Sequence, residues 1–185
     1  GCELGPHVHL TGHTAIGAEN RFHTGCVIGD APQDLKYSGE PTRLIIGDRN
    51  LFREHVTVHR SNMPDEDTRI GTKNFFMANS HVGHNSIIGN KVILANGVLI
   101  AGHAMIGDGA FLAGNAVVHQ FCRVGAMAMM FELRMPFLTR ARTGAQSRDS
   151  VRSTSMYFWP RASMRICCES SGRMPWLHSE PWKLS

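Results

Sequence analysis

The sequence predicts an all-β fold: a left-handed parallel β-helix, a three-sided prism of six-residue (hexapeptide) repeats, followed by an irregular tail that does not match it. Three observations support this. From Leu4 to Met130, every sixth residue is apolar at 19 of 22 positions, without a break from Ile70 onward. Gly71, Gly89, Gly107 and Gly125 each follow an apolar member of that series at intervals of 18, and Gly29 and Gly47 share the interval. Neither the 3.6-residue period of a helix nor the alternation of a half-buried strand produces such a series. Three sixes make one coil of 18. Each unit supplies a short strand and a corner, and its apolar residue points inward onto the copy in the next coil. Asn74, Asn90, Asn96 and Asn115 lie near the expected corners, where left-handed backbone suits Asn and Gly. Prisms of this kind coil against the usual right-handed crossover.

The elements follow in order. Leu4, Leu10, Ile16, Phe22 and Ile28 define the first coils. The chain opens on Gly rather than Met and shows neither a basic start nor a continuous apolar stretch, so we expect an N-terminally incomplete domain without a secretory signal. The series then falls on Asp34 and Glu40, inside "DAPQDLKYSGEPTR" (30–43). It resumes at Ile46, Phe52 and Val58, then fails at Pro64 inside "SNMPDEDT" (61–68). Both stretches are polar and rich in turn formers, and read as loops thrown out of the prism. Loops on a rigid scaffold often carry function.

From Ile70 the coils run unbroken to Met130, giving a β-helix domain over residues 1–130. Beyond it the period is lost and the composition changes. Residues 1–130 hold 10 Lys and Arg against 11 Asp and Glu, whereas 131–185 hold 9 against 4, with all three tryptophans and 9 of 13 serines. The near-neutral prism offers no electrostatic reason to bind nucleic acid, and no apolar run approaches the roughly 20 residues of a membrane span. Five cysteines, an odd number without metal-type spacing, argue for reduced thiols and a cytoplasmic location.

Residues 18 apart stack about 4.8 Å apart in successive coils. Counted modulo 18, His81, His84, His103 and His119 fall within five phases, on one edge of the prism. Gly102 stands one coil above His84, and Asn85 one coil below His103. A lone surface histidine is usually only solvated, and His7, His9, His13 and His55 are read that way. Four on one edge suggest a site. Neutral imidazoles can hold zinc, and histidine also titrates near neutrality and moves protons; the residues alone leave both readings open.

The segments "QDLKYSGEPT" (33–42), "VTVHR" (56–60), "HVGHN" (81–85), "IAGH" (100–103) and "AVVHQF" (116–121) resemble the acyl-[acyl-carrier-protein]–UDP-N-acetylglucosamine O-acyltransferases, over residues 1 to about 130. The resemblance implies a cytoplasmic homotrimer that moves a hydroxyacyl chain from acyl carrier protein to the 3-hydroxyl of UDP-N-acetylglucosamine, the first step of lipid A synthesis. It implies no metal and no other cofactor. His84 would be the general base, with Asn85 beside it, and the Gly102 N–H would hold the oxyanion. His59, His81, His103, His119 and Gln120 would contact substrate, and Asp34, Lys36 and Gln33 would meet the nucleotide sugar. A zinc enzyme of the same prism shape, of the carbonic anhydrase type, is the alternative, as is an inactive truncated copy. The chain departs from the family in three respects. The family often places Asp where Asn85 stands, about two N-terminal coils are absent, and the tail does not match. We expect residues from about 131 onward to come from a shifted reading frame. A genuine basic tail that binds the acidic carrier protein is the other reading.

Overall fold

The structure, a computed structural model, describes residues 1–131 and a short strand at Ile166–Cys167. The expected frame-shifted or carrier-binding tail lies outside the described residues, apart from that strand, which pairs antiparallel with Arg123–Val124. Between Glu3 and Met130 the chain forms strands of two to four residues, with no helix among the described residues. Each strand pairs in parallel with its counterparts in the coils above and below, giving three faces. The result is the expected left-handed parallel β-helix.

The register shows why the six-residue period outlives the loops. Phe75 pairs with Ile93, His81 with Leu99 and Ile87 with Met105, each one coil of 18 apart. Across the first loop the pairing runs from Val27 to Thr57, and across the second from Thr57 to His81. Those separations of 30 and 24 exceed a coil by 12 and 6, both multiples of six, so the inward positions stay in phase. The strands leave 31–42 and 60–66 as the excursions. Asp67 and Thr68, read from sequence with the second loop, already belong to the strand Asp67–Ile70.

Inside, each face contributes one column of the series. Phe22, Phe52, Phe76, Leu94 and Leu112 fill the first, with Phe22 stacked on Phe52 at 4.7 Å and Phe52 meeting Phe76 at 4.9 Å between centroids. Ile28, Val58, Val82, Ile100 and Val118 fill the second, and Ile46, Ile70, Ile88, Ile106 and Val124 the third. Full burial of such side chains stabilises by roughly 1.5–3 kcal/mol each, so a sequence of two-residue strands holds together through its columns.

The corners correct one expectation. Each corner outside the two loops carries one residue with left-handed backbone, but of the four asparagines named above only Asn115 is among them (φ 58°). Asn74 points inward instead. Asn20 Oδ1 accepts from the Asn50 N–H (2.9 Å), Asn50 Oδ1 from the Asn74 N–H (2.9 Å), and Asn74 Oδ1 from the Val92 N–H (2.7 Å), a buried ladder joining four coils. Within the glycine series, Gly47, Gly71, Gly89 and Gly107 are set by close approach rather than by positive φ, whereas Gly29 has φ 84° and a Cβ on Gly125 would meet no described atom within 4 Å. A Cβ on Gly71 would lie 2.6 Å from the Gly89 carbonyl oxygen, and one on Gly107 2.4 Å from the Ala126 nitrogen.

Candidate active site

Both loops leave the prism at the corner between its second and third faces, and so do the clustered histidines. His84 and Asn85 turn that corner between the strands His81–Val82 and Ile87–Ile88. Asn85 takes the left-handed conformation (φ 57°), as do His103 (58°) and Phe121 (60°) one and two coils above. Ser86 pins the next turn by donating to the Ala101 carbonyl at 3.0 Å and accepting from the Ala104 N–H.

His84 is 7% exposed, and its Nδ1 lies 2.9 Å from Asn85 Oδ1. The second loop fixes that amide from two sides. The Asn62 N–H donates to Asn85 Oδ1 at 2.9 Å, and Asn85 Nδ2 donates to Glu66 Oε2 at 2.8 Å. A backbone N–H can only donate and a carboxylate can only accept, so the oxygen of Asn85 faces His84. Nδ1 therefore carries the proton in neutral His84, and Nε2 keeps its lone pair. The ring occupies the space above Gly102, where an added Cβ would fall 2.6 Å from Nε2. Among the described residues the Gly102 N–H makes no backbone hydrogen bond, whereas the next one, of His103, donates to the His84 carbonyl. A base and a free N–H donor thus stand side by side.

Three further histidines surround the pair. His81 Nδ1 lies 2.7 Å from Thr57 Oγ1, and its ring meets that of His59 edge-on at 4.8 Å. Burial, with smaller contributions from His59 and His84, pushes the His81 pKa down to about 4. Burial also lowers His59, with His84 and Arg60 adding to it and Asp30 opposing. His59 Nδ1 is buried without a hydrogen-bond partner among the described residues. His103 meets His84 edge-on at 5.1 Å, stacks on Phe121 at 4.9 Å and is likewise lowered, mainly by burial. His119 and Gln120 are exposed on the same corner, two coils above its base residue.

The first loop is tied to this edge. Asn62 Nδ2 donates to Asp34 Oδ2 at 2.6 Å, and that bond, after the one from the Lys36 N–H, holds the Asp34 carboxyl below its usual value. Arg60 reaches the Gly29 carbonyl (2.9 Å) and Tyr37 Oη (3.0 Å). Gln33 and Lys36 are exposed on the loop, as is Leu35. Among the described residues no group of three or more His, Cys, Asp or Glu is placed to hold a metal ion. Two concave surfaces, one lined by Arg53, Glu54, Phe75 and Met77 and the other by Leu4, Arg21 and Phe22, lie away from His84.

Residues 67–102 match the bacterial transferase hexapeptide family (six repeats). An acyl-[acyl-carrier-protein]–UDP-N-acetylglucosamine O-acyltransferase of Anaeromyxobacter is 49% identical over 122 residues, 65% of this chain and 48% of that protein. One from Stutzerimonas stutzeri is 48% identical over 116 residues, 62% and 45% of the two chains. Two solved structures superpose with a TM-score of 0.63. LpxA from Acinetobacter baumannii is 37% identical over 70% of this chain and 58% of that one, and the UDP-N-acetylglucosamine O-acyltransferase from Moraxella catarrhalis 39% over 71% and 54%. The prism is homologous to the UDP-N-acetylglucosamine O-acyltransferases. The chain spans about half the length of the curated relatives it matches.

For an acyltransferase-type prism, the structure brings His59, His81, His84, Asn85, Gly102 and His103 together and ties Asp34 to them through Asn62. The sequence reading missed Asn62, Glu66, Thr57, Arg60 and Tyr37. Arg60 and Tyr37 lie inside or beside the quoted motifs. Asn62 and Glu66 sit in a stretch that has left the period, where no coil register tells which way a side chain turns.

Proposed function

We propose that the protein transfers a hydroxyacyl chain from acyl carrier protein to the 3-hydroxyl of UDP-N-acetylglucosamine, the first step of lipid A synthesis. The observation that carries this is the His84 imidazole, its Nδ1 committed to Asn85 and its Nε2 beside Gly102, 2.6 Å from where a Cβ there would stand, a residue whose N–H makes no hydrogen bond among the described residues. His84 Nε2 removes the proton from the sugar hydroxyl as that oxygen attacks the thioester carbonyl. The developing oxyanion takes a hydrogen bond from Gly102. When the tetrahedral carbon collapses, the carbon–sulfur bond breaks, and His84 returns its proton to the departing carrier thiolate. Neither half-reaction needs a metal or redox group.

Asp34, Lys36 and Gln33 meet the nucleotide sugar, and His59, with an unpaired buried Nδ1, His81, His103, His119 and Gln120 line the path of the substrates. The site is an outward edge, and a second copy seated against it would close it off from water, in keeping with a homotrimer. No helix among the described residues is long and apolar enough to cross a membrane, and we place the reaction in the cytoplasm, where the carrier-bound donor is made. The test is acyl transfer from a panel of hydroxyacyl carrier proteins to UDP-N-acetylglucosamine. The native chain should transfer, and His84→Ala should lose about 10²–10⁴-fold. Equal transfer by both chains would remove His84 from the role of base.

A further inference from the structure

We propose that Glu66, on the second loop, is a positioning residue for His84 and acts through Asn85. Asn85 has two ends that an imidazole could meet, and only one leaves His84 able to accept a proton at Nε2. If the NH2 group faced Nδ1, the ring would hold its proton on Nε2 and could not serve as base. The Asn62 N–H and the Glu66 carboxylate occupy the two ends of the amide with opposite hydrogen-bonding character, at 2.9 and 2.8 Å, and so admit one orientation. Glu66 also polarises the amide, which strengthens Oδ1 as an acceptor. Among the described ion pairs its one partner is His103, with Nδ1 3.9 Å away, a contact that is ionic only when that imidazole is protonated. The loop therefore does at a distance what an adjacent carboxylate would do directly.

The arrangement carries a consequence that a purely structural contact would not. Asn85→Asp, which installs the more direct carboxylate, places an oxygen where Nδ2 now donates to Glu66. Two carboxylates at that separation cannot both stay ionised and in place, so the substitution should harm the site while Glu66 is present. Asn85→Asp combined with Glu66→Gln should recover it, because Gln can donate to the new carboxylate.

The inference rests on the reading of His84 as base, and one readout is independent of transfer. In the full chain labelled with ¹⁵N-histidine, the His84 signals, identified by their loss in His84→Ala, should report one neutral tautomer protonated at Nδ1. Glu66→Ala should give a mixture of tautomers and lower kcat about tenfold at unchanged KM. Glu66→Gln, which keeps an acceptor for Asn85 Nδ2, should stay close to native in both, and thermal melts should be alike for all variants. A native His84 protonated at Nε2, a Glu66→Ala chain with the native tautomer and kcat, or an Asn85→Asp chain as active as native would each overturn the proposal. A tautomer that responds to Glu66 in a chain that transfers no acyl group would support the positioning and defeat the proposed reaction.

Discussion

The same left-handed backbone slot recurs at all three corners of the prism, and the residues that fill it differ by corner. Between the first and second faces it holds His7, Gly25, His55, Asn79, Gly97 and Asn115. Between the third and first it holds Glu19, Arg49, Lys73, Lys91, Gly109 and Met127. In those columns the non-glycine side chains are exposed, and acid, base, amide and thioether serve equally. Between the second and third faces the slot holds Asn85, His103 and Phe121. Asn85 is buried because the second loop folds over it, and its side chain makes three hydrogen bonds. The repeat thus dictates a backbone conformation and leaves the side chain free. Chemistry arises where a loop covers the slot and gives the side chain partners.

The sharpest way to test this contrast is to add the same methyl group at two glycines. At Gly102 the three atoms nearest the new Cβ all belong to the His84 ring, a side chain that can shift. Gly102→Ala should leave Tm within a few degrees of native and lower transfer about 10²–10³-fold, as the base and the oxyanion donor lose their common geometry. At Gly71 the Cβ meets the Gly89 backbone at 2.6 and 2.8 Å, where no side chain can yield. Gly71→Ala should cost about 1–3 kcal/mol of stability and leave kcat of the folded fraction unchanged. Loss of stability rather than activity at Gly102 would mean that the second corner is scaffold like the others.

Acid should separate the corners by a slightly smaller amount. Burial holds the His81 pKa at about 4, below the value of about 6.5 expected in the unfolded chain. The unfolded state therefore binds more protons between those values. The contribution of neutral His81 to stability is complete above about pH 6.5 and declines as pH falls toward 4, by up to about 3 kcal/mol. His59 and His103 are shifted in the same direction. In melts between pH 7 and 4, His81→Asn should flatten the fall in Tm. An unchanged slope would show that this edge opens to water before the prism unfolds.

The scaffold was legible in the sequence because it repeats. One inward position per six residues survives even the loops, whose lengths add whole multiples of six. The histidine edge was legible for the same reason, since His81, His84 and His103 belong to coils without insertions. Asn62 and Glu66 were not, because a side chain in an excursion has no coil above or below to fix its direction. The glycine series was legible as a period, but a period alone does not say whether a glycine serves positive φ, as at Gly29, or close approach, as at Gly71. The asparagines were misplaced, since Asn74 is polar in sequence yet points inward to the ladder with Asn50.

The smallest expected effect tests whether the anchoring of the second loop is electrostatic. Asp67 is 7% exposed at the point where that loop rejoins the third face, and it accepts from Arg43 Nε and Arg69 Nη2, both at 2.7 Å. Burial alone would raise its carboxyl pKa, but the hydrogen bonds and charges of the two arginines outweigh it and hold the group below 3.8. For a carboxyl lowered on folding, stability is present above the unfolded value and is lost as pH falls through the folded one. Both arginines are more than half exposed, so the pairs are screened by water and salt, and Asp67→Asn should cost about 1 kcal/mol or less at pH 7. Its diagnostic effect lies below pH 4, where Tm of the variant should vary less with pH than that of the native chain. If the two curves stay parallel there, the loop is held by the Asn62 and Asn85 hydrogen bonds rather than by this charge cluster. Transfer would then keep its dependence on Glu66 while losing none on Asp67.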